Sequence, residues 1–169
     1  IIESARWGLV PSWWKKSLRE LPSTINSRGE TVHEKPMFRS AFRSRRCLIP
    51  VSGFFEWKRT GDAKQPYYIT LVDNHPMTFA GIWEEWTNPE SGEIIVSASI
   101  LTISANSVIQ IIHHRMPVIL GPEEFSEWLT EGGHELIKPC PDNWLDFWPV
   151  SRDVNSPKNN HSGLMTPIT

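Results

Sequence analysis

The sequence has few cysteines, no long apolar run and almost no net charge. Only two of its 169 residues are cysteine, Cys47 and Cys140, and they lie far apart in the chain. A disulfide framework is therefore not expected, and a reduced compartment is the simpler prediction. The six histidines show no spacing typical of a zinc site, so we predict neither a metal nor another cofactor.

The absence of a long apolar run bears on membranes. No stretch approaches the roughly 18 apolar residues that a transmembrane helix needs, and no signal peptide is recognisable. We therefore expect a soluble intracellular protein that makes no membrane contact.

The formal net charge of −2 argues against a wholly basic nucleic-acid binder. The charge is unevenly distributed, however, because the region from Glu84 to Asp153 is acidic and the region from Arg28 to Arg59 is basic. A basic patch on an acidic protein can still guide a phosphate backbone to one face.

Strand patterns outnumber helical ones. A chain of 169 residues with 39% hydrophobic content fits one domain with a real core, and we see no internal repeat. We predict a single α+β domain with an open, barrel-like, mostly antiparallel sheet and flanking helices at Lys35–Arg45 and Pro122–Thr130. A strand is predicted at Ile94–Ile103, which has the β-branched content of a buried strand.

Tryptophan is unusually frequent, with nine in the chain. Trp13 and Trp14 follow the turn at Pro11-Ser12, and two adjacent indoles there cannot both point into one core. Either one of them faces a groove, or the pair caps the core from a loop.

Several polar residues are candidates for a site, each with a plain structural alternative. If the segment from Ile25 is extended, Asn26 and Arg28 face the same side; alternatively, Ser27 and Glu30 form a capping box that starts a helix. Arg39 and Arg43 share one face of the predicted helix, where they either contact phosphate or are merely solvated.

Glu56 lies in a short strand after the turn at Ser52-Gly53, flanked by aromatic residues. It is either a carboxylate acid/base held on a stiff strand or an exposed glutamate on an edge strand. His113, His114 and Arg115 follow a plausible helical turn, and an ordinary surface loop is the alternative for them.

The stretch Gly53-Phe54-Phe55-Glu56-Trp57 closely resembles the signature of the SOS-response-associated peptidase (SRAP) family, whose members covalently capture abasic sites in single-stranded DNA. Further segments resemble the family's motifs in the same order along nearly the whole chain. They are Arg6–Trp14, Asn26–Thr31, Ile112–Pro117 and Pro149–Asn155.

The resemblance implies roles for particular residues. Asn26 would position the substrate, Glu56 would act as acid/base and His113 would open the sugar. The DNA-binding residues would be Trp13, Trp14, Arg28, Arg39, Arg43 and Arg115.

The family's nucleophile is an N-terminal Cys, followed by Gly-Arg, whose amine and thiol form a thiazolidine with the abasic aldehyde. Residues 1–169 begin with Ile1, so we expect an SRAP domain that lacks this segment and is inactive in covalent capture. Neither Cys47 nor Cys140 can substitute, because neither has a free α-amine.

The predicted function is therefore abasic-site processing on single-stranded DNA, by a monomer that is cytoplasmic, nucleoid-associated in bacteria and nuclear in eukaryotes. A thiol peptidase that removes its own initiator Met is one alternative. A non-catalytic reader of damaged or modified DNA is the other.

Overall fold

The strands and helices are short apart from one long pair of strands. The structure, a computed structural model, describes residues 1–130 and 133–168. In chain order the strands are β1 (Arg6–Trp7), β2 (Asn26–Arg28), β3 (Arg46–Val51), β4 (Phe54–Thr60), β5 (Ala63–Leu71), β6 (Met77–Thr87), β7 (Ile94–Ser104), β8 (Arg115–Pro117), β9 (Ile119–Leu120) and β10 (Leu145–Pro149). The α-helices are α1 (Arg39–Ser44) and α2 (Phe125–Thr130), and 3-10 turns lie at Leu18–Glu20, Ile109–Ile111, Pro122–Glu124, Asp142–Trp144, Arg152–Asn155 and Ser162–Met165.

The chain divides into two compact units. The first unit comprises Ile1–Ile49, Thr78–Ile103 and Pro117–Lys138. The second comprises Pro50–Met77, Ser104–Met116 and the segment from Pro139 onward. The prediction of an α+β fold with open, mostly antiparallel sheets is confirmed, since the described pairings leave both sheets unclosed. Strands β1 and β2 each pair with β7 in parallel, whereas β6–β7, β6–β9, β4–β5 and β5–β10 are antiparallel.

The long strands β6 and β7 form the centre of the first unit's sheet. They pair antiparallel, with Gly81 opposite Ile100, and the sheet order is β1-β7-β6-β3 with β2 on β7 and β9 on β6. Residues of β7 alternate between buried and less buried positions, whereas β6 is buried along most of its length. The strand predicted at Ile94–Ile103 is therefore confirmed.

A glycine allows β3 to pack on β6. A Cβ atom at Gly81 would lie 2.6 Å from Cδ1 of Ile49 and 2.8 Å from Sγ of Cys47. Such contacts are far inside van der Waals separation, so a side chain at this position would push β3 away. The requirement depends on a contact distant in sequence, and the sequence analysis did not find it.

The helix predicted at Lys35–Arg45 is shorter in the structure. The chain first makes a turn in which the N–H of Phe38 donates to the Lys35 carbonyl, and α1 begins only at Arg39 without a side-chain cap. Phe42 anchors α1 against Trp128, with ring centroids 6.2 Å apart. The helix predicted at Pro122–Thr130 is present as a 3-10 turn that continues into α2.

The second unit contains a three-stranded antiparallel sheet in the order β10-β5-β4. The sequence predicts a strand at Gln65–Val72 that pairs with the Glu56 strand as a hairpin with a longish loop. The pairing is confirmed, with Glu56 opposite Tyr67, but the loop is short, because Thr60 already pairs with Ala63 around Gly61, whose φ is +64°. Gly53, just before β4, has no room for a side chain, because a Cβ there would lie 2.4 Å from the Tyr68 ring. No helix in the described part of the chain is long and apolar enough to span a membrane.

Candidate active site

Glu56 and His113, which are far apart in sequence, lie side by side in the second unit. Oε2 of Glu56 is 3.6 Å from Nδ1 of His113, and their side chains are 24% and 34% exposed. That separation is too long for a hydrogen bond but is within ion-pair range. A carboxylate and an imidazole so placed, partly shielded from water, can exchange protons with a substrate between or beside them.

Glu56 is held by the strand that carries it. Its Oε1 accepts a hydrogen bond of 3.0 Å from the Trp57 backbone N–H, which leaves Oε2 directed at His113. Trp57 is itself fixed, since its Nε1 donates to Oδ1 of Asn155 at 2.7 Å. The carboxylate therefore sits on a paired strand. The next residue, Trp57, is hydrogen-bonded through both its backbone N–H and its indole N–H.

Nδ1 of His113 has both a donor and an acceptor within reach. It lies 3.2 Å from the Arg115 N–H, which donates to the unprotonated nitrogen, and 3.2 Å from the Arg115 carbonyl, which accepts from the protonated one. The ring can therefore gain or lose a proton at Nδ1 without losing a partner. The His114 ring packs against it, with centroids 4.4 Å apart.

The loop conformation that presents His113 starts at a 3-10 turn. The N–H of His113 donates to the Ile109 carbonyl at 2.9 Å, and Ile109 and Ile112 are buried. Two buried isoleucines thus anchor the turn, and His113 follows at the surface.

Asn26 and Arg28 lie in the first unit on β2, a short strand parallel to β7. Both are exposed, and Ser27 between them is buried, so the prediction that they face the same side is confirmed. The alternative of a helix start at Ser27 is wrong, because this segment pairs with Ile100–Thr102 as a strand.

Trp13 and Trp14 differ in burial. Trp13 is 48% exposed, whereas Trp14 is half-buried and its carbonyl accepts a 2.7 Å hydrogen bond from Nε1 of Trp86. Their ring centroids are 6.1 Å apart. As expected, the two indoles do not share one core, and Trp13 is the one that faces solvent.

The basic residues separate into exposed and structural groups. Arg39 and Arg43 are exposed on α1, and Arg115 is half-buried in β8. By contrast, Arg45 pairs with the buried Glu84 at 2.7 Å, and the Arg46 guanidinium lies 5.6 Å from the Trp128 ring centroid. The latter two cations therefore hold the first unit together. That Asn26 of the first unit shares one cleft with Glu56 and His113 of the second stays a prediction.

Neither cysteine is suited to act as a nucleophile. Burial raises the pKa of both the Cys47 and the Cys140 thiol to about 12, so both are neutral at physiological pH. Thiolates, rather than thiols, are the reactive species. Within the described ranges, no group of three or more His, Cys, Asp or Glu side chains is arranged to hold a metal ion.

Two asparagines bind residues near the pair and were not among the predicted site residues. Asn155 anchors Trp57, and its position at the end of the Pro149–Asn155 motif was an available signal. Asn106 is buried beneath the loop of His113, and only its place just before the turn at Ile109–Ile111 hinted at a capping role.

Comparison with known proteins gives one family. The family model described as SOS response associated peptidase (SRAP) matches residues 1–157. The abasic site processing protein YoqW of Bacillus subtilis is 40% identical in an alignment 167 residues long, which covers 95% of this chain and 74% of YoqW. The abasic site processing protein HMCES of Gallus gallus is 34% identical over 199 residues, covering 99% of this chain and 58% of HMCES.

A solved structure agrees with these sequence matches. A protein from Bacteroides thetaiotaomicron superimposes with a TM-score of 0.88 at 32% identity, over 96% of this chain and 75% of that protein.

Proposed function

The chain belongs to the SOS response associated peptidase family, and from that membership we propose that it processes abasic sites in single-stranded DNA. The observation that carries the proposal is the apposition of Glu56 and His113 at 3.6 Å, with each group supported by backbone hydrogen bonds. This is the proton-transfer machinery that capture of a sugar aldehyde requires.

The chemistry begins with the ring-opened abasic sugar, which presents an aldehyde. The α-amine of an N-terminal Cys, with an ordinary pKa of about 7.7–8.0, adds to the aldehyde carbon and water is lost, giving an imine. The neighbouring thiol then adds to the imine carbon and a proton moves to the nitrogen, which closes a thiazolidine. The product is a covalent link between DNA and protein.

The described side chains have distinct roles in this scheme. His113 transfers the proton that opens the sugar, and Glu56 transfers protons during imine formation and loss of water. Asn26 positions the sugar. Arg28 and Arg115 bind the flanking phosphates, with Arg39 and Arg43 extending the basic surface. Exposed Trp13 stacks on a base, and the Trp14 ring packs beside the Trp13 ring.

The nucleophile in this proposal is neither cysteine of the chain. Cys47 and Cys140 lack an α-amine, and burial raises the pKa of both thiols to about 12. In this proposal the covalent step belongs to a chain with Cys at its first position. The Ile1 amine forms at most a transient imine, which has no thiol to trap it.

The test compares two proteins. One is residues 1–169, and the other, the Cys-first protein, carries ahead of Ile1 an N-terminal segment whose first residue is Cys. Each is incubated with an abasic single-stranded oligonucleotide and run on a denaturing gel without reductant. Both should bind the DNA, and only the Cys-first protein should give a stable shifted band.

Three outcomes would favour other functions. A stable band from residues 1–169 would mean that the nucleophile lies elsewhere. Cleavage of peptides by the Cys-first protein after its α-amine is blocked would support the thiol peptidase. Reversible binding without any band from the Cys-first protein would support a non-catalytic reader.

A further inference from the structure

The loop that carries His113 is closed at its base by contacts that the proposed chemistry does not use. The N–H of Ala105 donates to the His114 carbonyl at 3.1 Å, and the N–H of Asn106 donates to Sδ of Met116 at 3.3 Å. The two ends of segment 104–116 are thereby tied together. A loop closed in this way has few conformations, and its shape depends on the residues at its neck.

Asn106 lies in that neck, and its side chain makes two hydrogen bonds of opposite kind. Oδ1 accepts from the Ile109 N–H at 3.0 Å, and Nδ2 donates to the Cys140 carbonyl at 3.1 Å. The residue is only 9% exposed. Since one partner is a donor and the other an acceptor, only one orientation of the amide satisfies both.

A short path of backbone connects this amide to the imidazole. Asn106 fixes the N–H of Ile109, and the carbonyl of the same Ile109 accepts the N–H of His113 at 2.9 Å. The peptide groups on either side of one residue are therefore held by Asn106 and by His113. A shift of the Asn106 side chain would therefore move Ile109, and a shift of the Ile109 carbonyl would move the backbone N–H of His113.

A second contact braces the same side of the loop. The hydroxyl of Ser107 donates to Oδ2 of Asp142, two residues beyond Cys140. The segment Cys140–Asp142 thus receives hydrogen bonds from consecutive residues of the loop. The loop is held both at its own neck and against a neighbouring segment of the second unit.

We propose that Asn106 is a positioning residue for His113. Its Oδ1 holds the turn at Ile109–Ile111 through the Ile109 N–H, so that the imidazole faces the Glu56 carboxylate. The proposal rests on the proposed function for its kinetic consequence, but its structural consequence is independent of that function. Truncation of Asn106 leaves Glu56, Arg28 and Trp13 untouched. Its expected effect is therefore on the geometry of segment 104–116, which carries both His113 and Arg115.

Two variants and a matched control separate positioning from general stability. Asn106→Ala removes both side-chain hydrogen bonds, and Asn106→Asp keeps the acceptor for the Ile109 N–H. Gln65→Ala is the control, because Nε2 of Gln65 donates to the carbonyls of Pro66 and Val150 at 3.0 and 2.9 Å in the same unit. The control loses the same class of bond without touching segment 104–116.

The first measurement needs no activity. Nitrogen NMR of the His113 ring in residues 1–169 is recorded for each variant, with and without Glu56→Gln. In the parent chain and in Gln65→Ala, Glu56→Gln should shift the ring nitrogens, because the carboxylate lies beside Nδ1. In Asn106→Ala that response should be lost, and in Asn106→Asp it should be largely retained.

The second measurement is the initial rate of adduct formation in the Cys-first protein. Asn106→Ala should slow it about tenfold at saturating single-stranded DNA, in line with the effect of small misplacements of catalytic groups. Asn106→Asp should recover most of the rate, and Gln65→Ala should match the parent.

The outcomes are distinguishable. An unchanged His113 response to Glu56→Gln in folded Asn106→Ala would overturn the positioning role, as would an equal loss of that response in Gln65→Ala. If Asn106→Ala does not fold, Asn106→Asp decides, since a response lost despite the retained bond to Ile109 would also overturn the role. Absence of any adduct from the parent Cys-first protein would count against the proposed function and leave the NMR result to stand alone.

Discussion

The two units hold the candidate residues in different ways. In the first unit Asn26, Arg28 and Trp13 are exposed side chains on short elements. In the second, Glu56 and His113 are about one-quarter and one-third exposed and lie beside each other, with backbone partners for each. We infer a division of labour in which the proposed binding groups, apart from Arg115, lie in the first unit and the proposed acid–base pair lies in the second.

The largest effect on chemistry is expected from neutralising the Glu56 carboxylate. Glu56→Gln in the Cys-first protein should slow adduct formation about 100-fold, since acid–base groups contribute roughly 10²–10⁴-fold, and should leave affinity for single-stranded DNA unchanged. The measurement is single-turnover kinetics on denaturing gels. Glu85→Gln, which removes an exposed carboxylate from β6, is the matched control and should retain the parent rate.

The corresponding change in the first unit should affect binding. Trp13→Ala should weaken affinity for single-stranded DNA about tenfold, because stacking of a base on an aromatic ring contributes about 1–3 kcal/mol. Leu129→Ala is the control, since Leu129 is 47% exposed in the same unit and Trp13 is 48% exposed. Fluorescence anisotropy measures both, and equal affinities would remove Trp13 from the interface.

A smaller effect is expected from a single cation. Arg28→Gln should weaken binding to all sequences about equally and reduce the slope of log affinity against log salt by roughly one unit. Arg19→Gln removes the same charge from another exposed position of the first unit and should leave the slope unchanged. A slope that Arg28→Gln does not alter would assign Arg28 a structural role.

A further effect appears only in alkali and concerns both units. Burial raises the pKa of Cys47 and Cys140 from 9.0 to about 12, so the folded state disfavours the thiolates. The stability that this provides is complete below pH 9 and is lost as the pH rises toward 12. Urea denaturation of residues 1–169 should show a midpoint that falls above pH 9, and Cys47→Ala with Cys140→Ala should flatten that fall.

Local patterns predicted much of the fold and the faces of its strands. The β4–β5 hairpin follows from two strand patterns around the turn at Gly61, and the shared face of Asn26 and Arg28 follows from the period of an extended chain. The helix at Lys35–Arg45 was predicted too long, because the first turn there lacks a cap and does not continue as α-helix.

The apposition of Glu56 and His113 could not be predicted from either segment alone. The two residues come from different parts of the chain, and only the resemblance to the family placed them in one site. Asn106 and Asn155 were missed because each acts on residues that are remote in sequence or hidden in a loop. Arg45 and Arg46 belong to the basic region of the sequence, but Arg45 pairs with the buried Glu84 and Arg46 packs on the Trp128 ring. Composition alone cannot distinguish such structural cations from phosphate-binding ones.

The central claim is that Glu56 and His113 act as one proton-transfer unit. The direct test is a double-mutant cycle in the Cys-first protein, with initial rates of adduct formation for Glu56→Gln, His113→Gln and the combination. If the two groups work together, the double variant should be about as slow as the slower single variant, because the first change already disables the unit. A double variant slowed by the product of the two single effects would contradict the account.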